Sequence, residues 1–317
     1  MTLDFYDQLA KWLIQESVVV ATVVSVKGSV PREVGAKMII GSQNRIFSTI
    51  GGGAGEAFVI EQAAIVLQTG QKQQVEIDLT GAPQRKTQGI CGGKMQVWLE
   101  RWSGEAAVVL VQQILHRLKA GQSATLVTPF DTNQFPRLTD KPTPNSFTET
   151  LQPPPTLLII GAGHVAEQLA KVAYLIGFQI VVQDDRSEWA NTNRYPDASK
   201  IYTEAIADVI DHFTDHTMLY VALVTRSYQH DRIALETLLN QKLDCKYIGM
   251  IGSEKRVRQV YQSLENAGIS QSQLRSIYAP IGLDIGALTP EEIAVSIVAE
   301  LILVRRGGTG RCLRWRC

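Results

Sequence analysis

Cysteine is scarce in this chain. Only Cys91, Cys245, Cys312 and Cys317 occur in 317 residues, with no Cys-x-x-Cys pair and only five histidines. Cysteine and histidine never cluster at zinc-ligand spacing, which excludes a structural zinc site and a disulfide framework. An excess of charge of one sign is also missing, since 31 Lys and Arg balance 31 Asp and Glu. Broad electrostatic attraction to nucleic acid is therefore not expected. No RNP-like aromatic strand or finger spacing supports a nucleic-acid partner either. No apolar run reaches the roughly 20 residues of a membrane helix, so no membrane partner is expected. The opening segment, MTLDFYDQLAKWLIQES, carries an early acid and no small-residue cleavage site, so it does not read as a secretory leader. The expected compartment is the cytoplasm. Ser-x-x-Lys, Gly-x-Ser-x-Gly and His-Glu-x-x-His patterns are absent, so no nucleophile–base pair can be assigned.

Apolar residues make up 45% of the chain, enough to exclude disorder over most of it. The length suits two domains that bury about three quarters of the unfolded surface without a staple. Seven of the twelve prolines fall between Pro129 and Pro155. Proline removes backbone donors and biases the preceding residue away from helix, so residues 129–155 read as a partly extended linker. It separates an N-terminal domain, residues 1–128, from a C-terminal one, residues 156–317.

The fold class expected is α/β: an N-terminal mixed α/β domain followed by a C-terminal Rossmann-like, mainly parallel sheet domain. In the first half, Leu3, Leu9, Trp12 and Leu13 recur at helical spacing, and a β-branched run follows from Val18 to Val26. In the second half, strand-like TLLIIG, FQIVVQDD, MLYVALVT and CKYIGMIG alternate with helical patterns, as parallel sheets covered on both faces require. Gly161-Ala162-Gly163-His164-Val165-Ala166 follows the first of these strands and opens a helix. Asp184 and Asp185 end the next strand. This is the context of a dinucleotide-binding fingerprint: Gly161 allows the tight turn, and Gly163 admits a phosphate to the helix N-terminus. The same residues also suit a close structural turn. His164 is either a ligand donor or a neighbour of the helix cap. Arg186 suits a phosphate, and Asp184 and Asp185 suit ribose hydroxyls, unless one of the two only caps the following turn.

Arg226, after the third strand, offers a planar fork of donors to an anion. His230 and Asp231 read as an acid/base pair, or Asp231 as the helix N-cap. Gly252-Ser253-Glu254-Lys255-Arg256 forms another potential anion site at a helix start. Asp284 lies in the glycine-rich loop GLDIGA, which binds a ligand or simply turns. Thr289, Pro290 and Glu292 then spell a capping box with proline at the first helical position. In the first half, Gly51-Gly52-Gly53-Ala54-Gly55-Glu56 can present successive backbone donors to an oxygen-rich ligand, with Glu56 as a contact or base. Cys91, Gly92, Gly93 and Lys94 place a thiol beside two glycines and a cation that stabilises a thiolate. Cys91 is thus either reactive or an inert loop thiol. Ser29, Pro31, Arg32 and Lys37 add a polar rim.

Taken together, these segments resemble the XdhC/CoxI family, accessory proteins of xanthine dehydrogenase and related molybdenum hydroxylases. The resemblance rests on VVSVKGSVPREVGAKM, TIGGGAGE and ICGGKMQVWLE in the first half. In the second it rests on LLIIGAGHVAEQLAKVA, VVQDDR, TRSYQHD, YIGMIGSEKR and APIGLDIGALTPEEIAVSIVAELI. It implies a maturation chaperone rather than a stand-alone enzyme. Such a protein binds molybdenum cofactor (molybdopterin), assists its sulfuration with a cysteine desulfurase, and helps insert it into a xanthine dehydrogenase-type hydroxylase. It also implies a homodimer or higher homo-oligomer. Gly51, Gly52, Gly53, Glu56, Cys91, Gly92 and Gly93 match the family's first-domain motifs. Gly161, Gly163, His164, Asp185, Arg186 and Asp284 match those of the second. Where some relatives carry a cysteine directly after the glycine run, this chain reads Ala54-Gly55-Glu56, so sulfur handling falls to Cys91 alone. Two other readings compete: an NAD(P)-dependent oxidoreductase, and a non-catalytic scaffold with a vestigial nucleotide fold.

Overall fold

The computed structural model describes residues 2–79, 92–131, 133–241 and 243–313. The chain divides into two compact units between Gln152 and Pro153, with Ala120–Gln122 grouping with the second.

The first unit holds α1 (Thr2–Leu13), β1 (Val18–Lys27), β2 (Lys37–Ile40), β3 (Ile46–Ser48), α2 (Gly53–Thr69), β4 (Gln73–Asp78), β5 (Lys94–Trp102), α3 (Gly104–Lys119), β6 (Ala124–Pro129), β7 (Arg137–Leu138) and β8 (Ser146–Leu151). Its main sheet is antiparallel in the order β3-β2-β1-β5-β4. The β-branched run explains why β1 lies at the centre. Val19, Ala21 and Val23 face one core, against α2. Val18 and Val20 face another, packed by α1 and α3. Period-two alternation with both sides apolar is what a strand buried on two faces requires.

The linker expectation for residues 129–155 needs correction. Much of that segment belongs to a three-stranded antiparallel sheet, β7-β6-β8, whose Leu126, Leu138 and Leu151 join the α1/α3 core. The prolines mark its ends. Pro129 closes β6, Pro136 precedes β7, Pro142 and Pro144 lie in the β7–β8 connection, and Pro153–155 follow β8. Proline cannot donate to a ladder, so it punctuates strands rather than occupying a sheet centre.

The second unit holds β9 (Thr156–Ile160), α4 (His164–Leu175), β10 (Gln179–Gln183), β11 (Ala198–Tyr202), α5 (Ile206–Ile210), β12 (Leu219–Leu223), α6 (Tyr228–Gln241), β13 (Cys245–Met250), α7 (Glu254–Asn266), α8 (Gln271–Arg275) and α9 (Pro290–Arg306). The sheet is parallel throughout, in the order β11-β10-β9-β12-β13. This is the Rossmann arrangement, with its switch point between β9 and β12. Leu157 and Ile159 pack with α4 and α9 on one face; Leu158 and Ile160 pack with α5, α6 and α7 on the other. The α9 start is capped as its sequence reads: Thr289 accepts from Glu292 N, Glu292 reaches back to Thr289 N, and Pro290 takes the first turn. No helix among the described residues is long and apolar enough to cross a membrane, and none of their His, Cys, Asp and Glu side chains group as metal ligands.

Candidate functional site

In the second unit the carboxyl ends of β9, β10 and β12 converge on a cavity of about 220 Å³. Gly161, Asp184, Asp185, Thr225, Arg226 and His230 line it, with Ile206, Ile233 and Ala234 as its apolar wall. Gly161 has φ +102°, and a Cβ there would stand 2.7 Å from the Val224 carbonyl oxygen, so only glycine makes this turn. Gly163 differs. It precedes α4 with ordinary φ, and nothing lies within 4 Å of where its Cβ would be. Open space beside the helix N-terminus, with its unpaired amides, lets an anion approach.

The two adjacent aspartates do different work. Asp184 is buried and accepts from Ala162 N at 2.7 Å and from the Arg186 guanidinium at 2.8 Å through both oxygens. Burial alone would raise its pKa. The Arg186 fork and the amides of Ala162 and Arg186 outweigh burial and hold it at about 2. Asp184 thus fastens the glycine turn to the end of β10. Asp185 is exposed and takes a bidentate pair from Arg226 at 2.8 and 2.9 Å. Fork-to-carboxylate pairing fixes geometry as well as charge. Arg186 and Arg226 therefore meet an incoming anion already engaged to carboxylates, and a phosphate must compete with those partners.

His230 Nδ1 lies 2.6 Å from Ser227 Oγ, and its Nε2 lies 4.0 Å from Asp185 Oδ2. His164, at the α4 start, stacks edge-on against Trp189, whose face also carries Arg186 and Arg194. Asp284 does not join the cluster. It is exposed in the loop before α9, and no hydrogen bond or ion pair among the described residues links it to the cavity. That loop is anchored by Glu300, which accepts from Gly282 N at 2.9 Å and Tyr247 OH at 2.5 Å.

Two readings of this half are corrected. Asp231 is not the α6 N-cap, because the helix starts three residues earlier at Tyr228 and Asp231 is fully buried in it. Arg256 is not free for an anion, since its Nε donates to Asp231 at 2.6 Å and its NH2 group to Thr225 Oγ1 at 3.1 Å.

In the first unit, the glycine segment already uses part of its donor set. Glu56 Oε2 accepts from Ile50 N at 3.1 Å, Gly52 N at 3.2 Å and the Thr49 hydroxyl at 2.5 Å. Glu56 is a clamp on the loop, which the sequence left as a contact or base. Gly52 and Gly53 have φ of +73° and +65° with open space beside them, at the start of α2. A recess of about 170 Å³ opens there, lined by Pro31, Gly51–Glu56, Ile77, Leu79 and Met95.

Gly92 and Gly93 also differ from each other. Gly92 is left-handed at φ +73° with open space, and its amide donates to Leu79 O at 3.0 Å. Gly93 lies under the 27–30 turn, where a Cβ would meet Lys27 O at 2.8 Å, Val30 Cγ1 at 2.7 Å and Ser29 O closer still. Two of those three are backbone atoms that cannot rotate away. Gly93→Ala should therefore cost about 1–3 kcal/mol through overpacking. Gly52→Ala should cost about 1–3 kcal/mol from backbone conformation alone, because φ +73° with ψ −175° is a region that only glycine enters freely. Urea unfolding of the two variants checks this, and a Gly93→Ala midpoint equal to wild type would refute the crowding argument. Cys91 lies outside the described residues.

Comparison with known proteins follows the same division. Residues 13–78 match the model of the XdhC and CoxI family, and residues 157–301 match the XdhC Rossmann domain, together about two thirds of the chain. A Bacillus subtilis protein named as a probable xanthine dehydrogenase subunit is 28% identical over 92% of this chain and 94% of its own length. The molybdenum cofactor insertion chaperone PaoD of Escherichia coli is 23% identical, over 90% of this chain and 83% of its own. Among solved structures, one described as a xanthine dehydrogenase from Bacillus halodurans superposes with a TM-score of 0.77. It is 27% identical, covering 98% of this chain and 97% of that one. The two model matches, the parallel Rossmann sheet and full-length likeness at this level establish that the chain belongs to the XdhC/CoxI family.

Proposed function

We propose that this protein binds molybdenum cofactor, assists its sulfuration, and helps insert it into a xanthine dehydrogenase-type hydroxylase. The observation that carries the reading is likeness to a molybdenum cofactor insertion chaperone along nine tenths of this chain. The donor chemistry fits. Molybdenum cofactor carries a phosphate and an oxygen-rich metal, and the residues suited to hold them are those at open helix starts: Gly52 and Gly53 at the start of α2, and Gly163 before α4. When bound, the cofactor brings the metal centre that the client hydroxylase needs. Glu56 keeps the first loop in shape for it, and Asp184 with Arg186 keeps the second. Cys91 is the candidate sulfur-handling residue, and a cysteine desulfurase is the partner that would supply it. A homodimer is the assembly expected.

The test is purification from a cofactor-producing host under anaerobic conditions, with molybdenum measured by mass spectrometry and the pterin by fluorescence after oxidation. Both should co-purify with the protein. Cys91→Ala should keep both yet fail to support a sulfur-dependent client activity in reconstitution. Absence of both after anaerobic reconstitution would overturn the reading. Tight NAD(P)H binding with hydride transfer would instead favour an oxidoreductase.

A further inference from the structure

The last helix, α9, has two apolar faces. Ala294, Ile297, Val298 and Leu301 join the core that α4 and the sheet share. The other face stays outside: Val295 is 50% exposed and Ile302 38%. Leu288, just before the helix, is 86% exposed. Single exposed apolar residues are ordinary on a protein surface. These three recur at every seventh position, which is the spacing of a seam between two helices. At 3.6 residues per turn, Glu291, Val295, Ala299, Ile302 and Arg306 share an arc of about 80°. Ala299, near the middle, is small enough to let a second helix come close.

The charges at the two ends indicate what covers this face. Glu291 stands exposed in the first turn and Arg306 in the last, and neither side chain has an ion-pair partner among the described residues. A two-fold axis midway between Val298 and Ala299 lays a second α9 antiparallel on the first. Val295 of each copy then meets Ile302 of the other, and Glu291 meets Arg306, because both pairs are centred on that axis. A two-fold contact must be self-complementary in this way. Acid at a helix start and base at its end also suit the macrodipole of a single helix. The macrodipole does not require an apolar stripe between them, nor that stripe and charges share one midpoint.

We propose that α9 is the seam of a two-fold homodimer, its Val295–Ile302 stripe packed antiparallel on a second copy of the chain, with Glu291 of each copy paired to Arg306 of the other. This surface gives the homodimer expected above its contact, and it does not depend on cofactor binding.

The experiment measures the mass of the full chain by sedimentation equilibrium at low salt, where exposed ion pairs are least screened. Wild type should be a dimer. Val295→Asp and Ile302→Asp should each raise its dissociation constant roughly tenfold or more, with circular dichroism unchanged because both positions face outward. Glu291→Arg and Arg306→Glu each set like charges together at both ends of the seam and should weaken the dimer roughly tenfold. Mixing these two variants should restore association, since each chain supplies the charge the other lacks. One chain carrying both substitutions should recover as well, whereas a macrodipole role predicts the poorest helix of the series. A dimer that survives Val295→Asp and Ile302→Asp would overturn this seam and leave the homodimer on another surface. Weakening without rescue in the mixture would overturn the antiparallel pairing. A monomeric wild type would overturn both seam and homodimer, and a different protein would then be the occupant of the face.

Discussion

Asp231→Ala should destabilise the second unit by about 3–5 kcal/mol, the cost of leaving a buried ionic group without its partner. Asp231 is fully buried and accepts from Thr225 Oγ1 at 2.7 Å and from Arg256 Nε at 2.6 Å, with the Arg256 NH2 group also against it. Arg256 donates as well to the Thr225 carbonyl at 3.3 Å. One carboxylate thus joins the end of β12, the first turn of α6 and the first turn of α7. Burial pushes its pKa up, opposed by Thr225 and Arg256. Substitution by alanine leaves the Arg256 guanidinium facing an empty, partly buried site. Asp231→Asn keeps the shape and one acceptor, so its loss should be smaller. Pairing Asp231→Ala with Arg256→Met should recover much of the deficit, because an apolar isostere removes the stranded charge. Urea unfolding, with hydrogen exchange read in β12 and α6, locates the loss. A deficit below about 1 kcal/mol would mean that the clamp is not what holds these elements together. The clamp also bears on the cleft, because the segment it fixes carries Arg226, Ser227 and His230. Loosening it should weaken any ligand held there.

The parallel half was legible because its signals are local. Apolar strands of five or six residues alternate with capped helices, and the glycine turn sits where a Rossmann sheet needs it. β11 escaped notice because its residues, ASKIY, are half-exposed or exposed and carry no apolar pattern. It is an edge strand, held by pairing with β10 alone. The proline segment misled for a physical reason. Proline frequency over a window cannot tell an open linker from short strands whose ends are punctuated by proline. The site residues were legible as motifs but not in their partnerships. Glu56 stands four positions after Gly52, and only the turn between them shows that the carboxylate returns to the amide. Asp184 and Asp185 are indistinguishable in sequence, yet one is sealed under the glycine turn and the other is exposed.

Glu100 makes the first unit sensitive to pH in an unusual direction. It is 2% exposed, near the C-terminal end of β5, and pairs with Lys72. Burial raises its pKa to about 7, against the opposing pull of the Lys72 ammonium. In the unfolded chain an ordinary glutamate titrates near 4.3. Below both values the carboxyl is protonated in both states and its contribution is complete. Between about 4.5 and 7 the folded state keeps the proton that the unfolded state has released, so stability falls as pH rises. Above about 7 both are charged and the curve flattens. A shift of that size corresponds to roughly 3 kcal/mol across the window. Glu100→Gln, which stays neutral, should remove the slope. Asp184 works in the opposite sense in the second unit: its pKa is depressed to about 2, so its contribution is present above the ordinary aspartate value and is lost as pH falls toward about 2. The two units therefore respond differently to mild acid, and whole-chain unfolding would blend them. Hydrogen exchange of β5 amides at pH 5 and pH 7, corrected for intrinsic rates, isolates the first. Protection in wild type should drop between those values and stay level in Glu100→Gln. Equal profiles for the two proteins would show that Glu100 is charged throughout, with Lys72 outweighing burial.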